Sequence, residues 1–161
     1  MLVNCLQIYV TTQDGRTFVG LVEIVDSELD IAILKIQSET PFPYAKLGTS
    51  AELRPGDWVI AIGSPCFLNN TITLGIVSCV NRKGNDTGIS TEYIQADCSV
   101  NPGNSGGPLV NIDGEVVGVS VWKFATSKYS NEVLATQGLG FYVPIDSVSK
   151  IMVENSTRKG Y

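Results

Sequence analysis

Apolar residues recur along this chain in short runs, each closed by glycine, asparagine, aspartate or proline, and rarely at helical spacing. Leu6 to Thr12 and Thr17 to Val25 are rich in β-branched and aromatic residues and flank the polar turn Gln13-Asp14-Gly15-Arg16, which predicts a hairpin. Leu29 to Ile36 is short and isoleucine-rich, the signature of a buried strand rather than a helix. Pro41, Pro43 and Arg54-Pro55-Gly56-Asp57 then punctuate a connecting stretch. Further strands are predicted at Trp58 to Ile62, Thr71 to Asn81, Glu92 to Ala96, Pro108 to Asn111, Glu115 to Val121 and Gly138 to Val143, with Ile112-Asp113-Gly114 as a hairpin turn. The period changes only after Pro144, where Ile145, Val148, Ile151 and Met152 fall at helical spacing and Asp146 stands ready to cap free amides. An all-β barrel or sandwich with one terminal helix is the fold class this pattern predicts, without an internal repeat.

Composition narrows the function classes. With 43% hydrophobic residues, 17% charged residues and 16 glycines, the 161-residue chain reads as one globular domain. Eleven basic against sixteen acidic residues give a net charge of -5, and no cluster of Lys and Arg could neutralise a run of phosphates, so nucleic acid is not an expected partner. The longest apolar runs, such as Trp58-Val59-Ile60-Ala61-Ile62, are far shorter than the ~20 residues of a membrane-spanning helix. Cys5, Cys66, Cys79 and Cys98 are scattered through apolar runs, and there is no histidine, so free thiols are expected and neither a metal nor any other cofactor. Met1-Leu2-Val3-Asn4-Cys5 lacks the basic start and long apolar centre of a secretory signal and the arginines of a transit peptide.

Gly103-Asn104-Ser105-Gly106-Gly107 carries the candidate chemistry. It satisfies G-x-S-x-G, which in α/β-hydrolases is a strand-to-helix elbow, but here a strand and a turn follow, Pro108-Leu109-Val110-Asn111 and Asp113-Gly114. In a β-barrel the same glycines permit a tight loop whose amides converge, so that those of Gly103 and Ser105 could hold an oxyanion.

The flanking residues extend the pattern. Asp97-Cys98-Ser99-Val100-Asn101-Pro102-Gly103-Asn104-Ser105-Gly106-Gly107-Pro108-Leu109-Val110-Asn111, followed by Asp113-Gly114-Glu115-Val116-Val117-Gly118-Val119, resembles the nucleophile region of the HtrA/Deg (Do-like) serine proteases. Leu29-Asp30-Ile31-Ala32-Ile33-Leu34-Lys35-Ile36 is similar to the segment carrying that family's triad aspartate, and Gly56 to Pro65, Gly75 to Ser78 and Gly140 to Ile145 follow in the family's order. The resemblance implies a chymotrypsin-like double β-barrel with an incomplete first barrel over residues 1–50, a second barrel over 55–144 and a helix over 145–154; the PDZ domain that commonly follows in the family is not expected in this chain. It implies Ser105 as nucleophile, Asp30 as the residue orienting the base, Gly103 and Ser105 as the oxyanion hole, and Leu139, Gly140 and Phe141 as pocket wall for aliphatic substrate side chains. The implied partners are unfolded or extended polypeptides. Oligomeric state is not legible, and organellar and nuclear compartments are both open by family.

A serine hydroxyl needs a neighbouring base to remove its proton and later protonate the leaving amine. In this family that base is a histidine preceding the first strand recognisable here, and this chain contains none. Losing such a base costs about 10⁶ in kcat, roughly 8 to 9 kcal/mol of barrier. A lysine base is the alternative, yet Lys35, Lys46 and Lys123 read more simply as solvated surface charges. Two explanations remain open, a shortened copy of an active protease and a non-catalytic peptide-binding or assembly subunit; a purely structural barrel, the third reading, predicts no peptide affinity. Missing barrel strands favour the shortened copy, because an open barrel exposes strand edges. The isolated chain is therefore expected to associate in solution, and sedimentation showing a monomer that melts cooperatively would refute this.

Overall fold

The computed structural model describes residues 7–83, 92–121 and 138–159. These form two compact units, one from residues 1–44 with 151–161 and one from residues 45–150. Cys5 and the polar stretch 122–137 lie outside the described residues.

In the first unit β1 (Ile8–Thr11), β2 (Thr17–Asp26) and β3 (Ile31–Lys35) form an antiparallel sheet in the order β1-β2-β3. The predicted turn is held by Thr12 and Arg16, whose backbone amide and carbonyl bond at 2.9 Å, with Gly15 at φ 85°. Asp14 pairs with the Arg16 guanidinium at 2.7 Å, and that guanidinium lies over the rings of Phe18 and Phe42. A bulge between Val22 and Ile24 lets β2 bend across β3. Both faces of β2 carry apolar side chains, and Leu21 and Val25 remain about half exposed, as expected of sheet that is not closed into a barrel. Strand β3 begins later than the apolar run, because Asp30 takes a left-handed turn conformation at φ 59°.

The second unit is a closed barrel. Its strands are β4 (Trp58–Gly63), β5 (Thr71–Lys83), β6 (Glu92–Ala96), β7 (Pro108–Asn111), β8 (Val116–Val121) and β9 (Gly140–Pro144), joined in the order β4-β5-β6-β9-β8-β7. Closure removes every free edge among these strands. Inward positions of the strands supply a core of Val59, Val77, Ile94, Leu109, Val117 and Tyr142, none more than 1% exposed. Outside the barrel, residues 46–48 run beside β8: Val116 donates its amide to the Lys46 carbonyl and accepts from Gly48, each at 2.8 Å. The Lys46 ammonium pairs with Glu115, which holds the Glu115 carboxyl below the usual carboxylate range.

Helix α1 (Ile145–Lys159) follows directly from β9. Asp146 uses its carboxylate differently from the expected helix cap: it accepts the Ala51 amide at 2.9 Å while its own amide donates to Ser50 Oγ at 3.2 Å. The helix start is thus tied to the short 3-10 turn Ser50–Glu52. A closed barrel, an open three-stranded sheet and one helix together realise the all-β expectation with its incomplete first barrel.

Tyr142 brings one anomaly into the core. Its hydroxyl is buried facing the Cys98 thiol without a well-formed hydrogen bond among the described residues, and burial pushes both groups upward in pKa, so both stay protonated. An orphaned buried hydroxyl is a cost, so Tyr142→Phe is expected to leave the melting temperature unchanged or raise it, whereas Leu109→Ala should cost about 2–5 kcal/mol in urea unfolding.

Candidate active site

The loop between β6 and β7 is two successive tight turns. Asn104 donates its amide to the Asn101 carbonyl at 3.0 Å, and Gly107 donates to the Asn104 carbonyl at 2.8 Å. The second turn is pinned to β8 by a reciprocal pair, Gly106 amide to Ser120 carbonyl and Ser120 amide to Gly107 carbonyl, both 2.8 Å. Gly103 at φ 106° and Gly106 at φ 86° occupy conformations that side chains disfavour. Ser105 lies between them, exposed, while the adjacent Asn104 is only 5% exposed.

Residues 63–66, at the end of β4, hold the other side of this loop. Ser64 donates its amide to the Gly103 carbonyl and Cys66 to the Pro102 carbonyl, each at 3.3 Å. Cys66 reaches that position at φ 51°, within a segment braced by a 2.7 Å bond from Ser64 Oγ to Asn69 Oδ1. The Ser99 carbonyl is gripped twice, by Thr73 Oγ1 at 3.2 Å and Asn104 Nδ2 at 3.4 Å. Asn104 can lie this deep because position 63 is glycine: an added Cβ there would come within 2.5 Å of Asn104 Oδ1.

These bonds orient the 102–103 peptide. In a trans peptide the carbonyl and the following amide point oppositely, so fixing the Pro102 carbonyl toward Cys66 turns the Gly103 amide the other way. Neither the Gly103 nor the Ser105 amide donates to the backbone of any described residue. Two such amides flanking one residue can accept a negatively charged oxygen.

The remaining expected residues fall as follows. Gly140 is buried at the start of β9, opposite Ala96 of β6; Leu139 is 42% exposed and Phe141 half-buried beside it. Asp30 belongs to the first unit, exposed at the end of the β2–β3 turn, where Asp26 Oδ1 accepts the amides of Glu28 and Leu29 at 3.0 and 2.9 Å. Of the lysines weighed as a base, Lys35 pairs with Glu23 at 3.7 Å and Lys123 lies outside the described residues. Hydrogen bonding to Glu115 raises the Lys46 pKa, the opposite of what a base needs. A 370 Å³ cavity lined by Leu53, Asp57, Trp58, Ile112 and Glu115 contains none of the expected site residues.

Sequence reasoning did not find the braces Ser64, Cys66, Thr73 and Asn104. Only the glycines at positions 63 and 75 hinted at them: at Gly75 an added Cβ would sit 2.6 Å from the Cys98 amide, at the root of the same loop. Glycine substitutions separate strain from collision. Gly103→Ala places a methyl against the Ser64 carbonyl as well as straining φ, and is expected to cost about 2–5 kcal/mol and move the Ser105 amide resonance. Gly106→Ala meets open space and should cost about 1 kcal/mol in the same urea melts.

The chain is similar to known proteins. Residues 3–119 match the trypsin-like peptidase domain family. The chain is 59% identical over 154 residues to protease Do-like 14 of Arabidopsis thaliana, covering 94% of this chain and 34% of that protein. It is 42% identical to serine protease HTRA1 of Xenopus laevis, covering 99% of this chain and 33% of that one. The chain thus spans about a third of these relatives. Among solved structures, the HtrA-type protease AlgW with a decapeptide aligns with TM-score 0.83 and 34% identity over 97% of this chain and 46% of its own. By family match, by sequence and by fold, the chain belongs to the HtrA/Do-like family of trypsin-like serine proteases.

Proposed function

We propose that this chain carries the nucleophile half of an HtrA-like serine endopeptidase acting on unfolded or extended polypeptides, and that by itself it binds such peptides without cutting them. The observation that carries the reading is the loop around Ser105, an exposed serine between glycines, with two nearby amides that donate to no backbone carbonyl among the described residues. In this reading Ser105 is the nucleophile and Gly103 and Ser105 supply the oxyanion hole. Asp30 orients a base, and Leu139, Gly140 and Phe141 wall the substrate pocket. The structural relative AlgW, described with a bound decapeptide, supports an extended peptide as the ligand class.

The base itself is the missing part. No histidine occurs among the 161 residues, and Lys46 is held protonated by Glu115. A group from outside these residues has to take the Ser105 proton for an acyl-enzyme to form. The absence of histidine also favours the second reading, a peptide-binding or assembly subunit in which Ser105 has no covalent role.

Labelling by a fluorophosphonate tests the unactivated serine. Ser105 of this chain is expected to react at least about 10³-fold more slowly than an active serine protease. Added imidazole should accelerate the reaction, and Ser105→Ala should abolish it without changing affinity for an unfolded polypeptide. Rapid labelling without imidazole would show that a base is present after all. Labelling that imidazole does not accelerate would favour the non-catalytic subunit.

A further inference from the structure

The 370 Å³ cavity beside Trp58 lies at the end of the barrel away from Ser105. Strand β4 runs from Trp58 to Gly63, where it abuts the 101–107 loop, and β7 runs back from Pro108 to Asn111, with Val59 opposite Asn111. Roughly 15 Å of strand separates the cavity from the loop. Its walls are two pinned turns. On one side the Gly56 amide and the Asp57 carbonyl make a reciprocal pair with Val77 at 2.8 and 2.9 Å, and Asp57 Oδ2 accepts the Arg54 amide at 2.7 Å. On the other, Asn111 Oδ1 gathers the amides of Asp113 and Glu115 at 3.1 and 2.9 Å.

The lining is unbalanced in charge. Glu52, Asp57, Asp113 and Glu115 contribute to it, and no lysine or arginine among the described residues does. Glu115 is engaged by Lys46 and by Asn111 Nδ2 at 3.2 Å, but neither Glu52 nor Asp113 has an ion pair among the described residues. The Trp58 indole, 57% exposed, stands in the same wall beside Leu53. An indole and carboxylates in one concavity suit a guanidinium, because ring and anions attract the same cation while apolar neighbours cover its alkyl stem.

We propose that this cavity is a binding site, remote from Ser105, for an arginine side chain of a partner polypeptide. Glu52 and Asp113 supply the anions, and Trp58 supplies the stacking surface. The cavity volume of 370 Å³ falls near the lower end of small-ligand sites, about 300–1,000 Å³, so it fits one side chain rather than a whole segment. A lysine ammonium meets the charge without the planar stacking and binds more weakly. The assignment does not rest on the reading of Ser105.

The test is an anisotropy titration of the chain as it stands into fluorescein-labelled pentapeptides that differ only in a central arginine, lysine or citrulline. Citrulline keeps the shape of arginine and removes its charge. The arginine peptide is expected to bind at least about fivefold more tightly than the citrulline peptide at about 20 mM salt, and the ratio should shrink at about 0.5 M. Glu52→Gln with Asp113→Asn, both at exposed positions, should bring the ratio within about twofold. Glu39→Gln with Glu154→Gln removes the same charge elsewhere and should preserve it. Trp58→Leu should weaken the arginine peptide by about threefold and the lysine peptide less. Equal binding of arginine and citrulline peptides, a ratio that survives the Glu52 and Asp113 substitutions, or an equal loss in both double variants overturns the proposal. So does sedimentation in which Trp58→Leu breaks up an association of the chain that the arginine peptide cannot compete away, since a second copy then fills the cavity.

Discussion

Backbone meets backbone where β4 ends against the 101–107 loop, and the geometry around Ser105 follows from that contact. Gly63 lets the Asn104 side chain pack where any Cβ would intrude, and the Ser64 and Cys66 amides then reach the carbonyls of Gly103 and Pro102. Each bond is an ordinary one, worth about 1 kcal/mol net. Their joint effect is directional: with both carbonyls of the 102–103 and 103–104 peptides drawn to one side, the Gly103 amide has to face the other. Gly107, where an added Cβ would strike the Ile62 carbonyl, completes the same close approach from the far end of the loop. The Gly103 amide is thus oriented by the protein's own hydrogen bonds.

The loop is rooted in a barrel that can resist displacement. Its six strands close on one another, and the side chains beneath the loop, among them Ala96, Cys98, Leu109 and Tyr142, are fully buried. Close packing transmits strain poorly into open space and well into neighbours, so the turns at residues 101–107 inherit the rigidity of β6, β7 and β8. The three-stranded sheet of the first unit has no such closure. Arg16 laid across Phe18 and Phe42, and the Asp26 carboxylate gathering two amides before Asp30, are local devices that shape turns rather than a sealed core.

Held amides and an exposed hydroxyl do not by themselves make a catalyst. Oxyanion stabilisation lowers the barrier only after the serine oxygen has begun to attack, and attack requires loss of its proton. Among the described residues, burial pushes the Cys98 thiol and the Tyr142 phenol toward their protonated forms, and pairing with Glu115 favours the protonated form of the exposed Lys46.

Strand content, the order of the elements and the tight glycine turns around Ser105 were legible in the residues, because alternation, turn glycines and bounding prolines are local features. Asp30 was legible as a residue opening β3, and its left-handed backbone was not, since that depends on Asp26 reaching forward to two amides. Asp146 read as a helix cap by position; tertiary structure gave its carboxylate to Ala51 instead, ninety-five residues away. Closure of the barrel, the grip of residues 63–66 on the loop and the packing of Val100 against Gly140 all bring together residues far apart in the chain. Short-range pattern records what each segment prefers to be. Which way an amide is turned, and which side chains are buried, are decided only when distant segments compete for the same space.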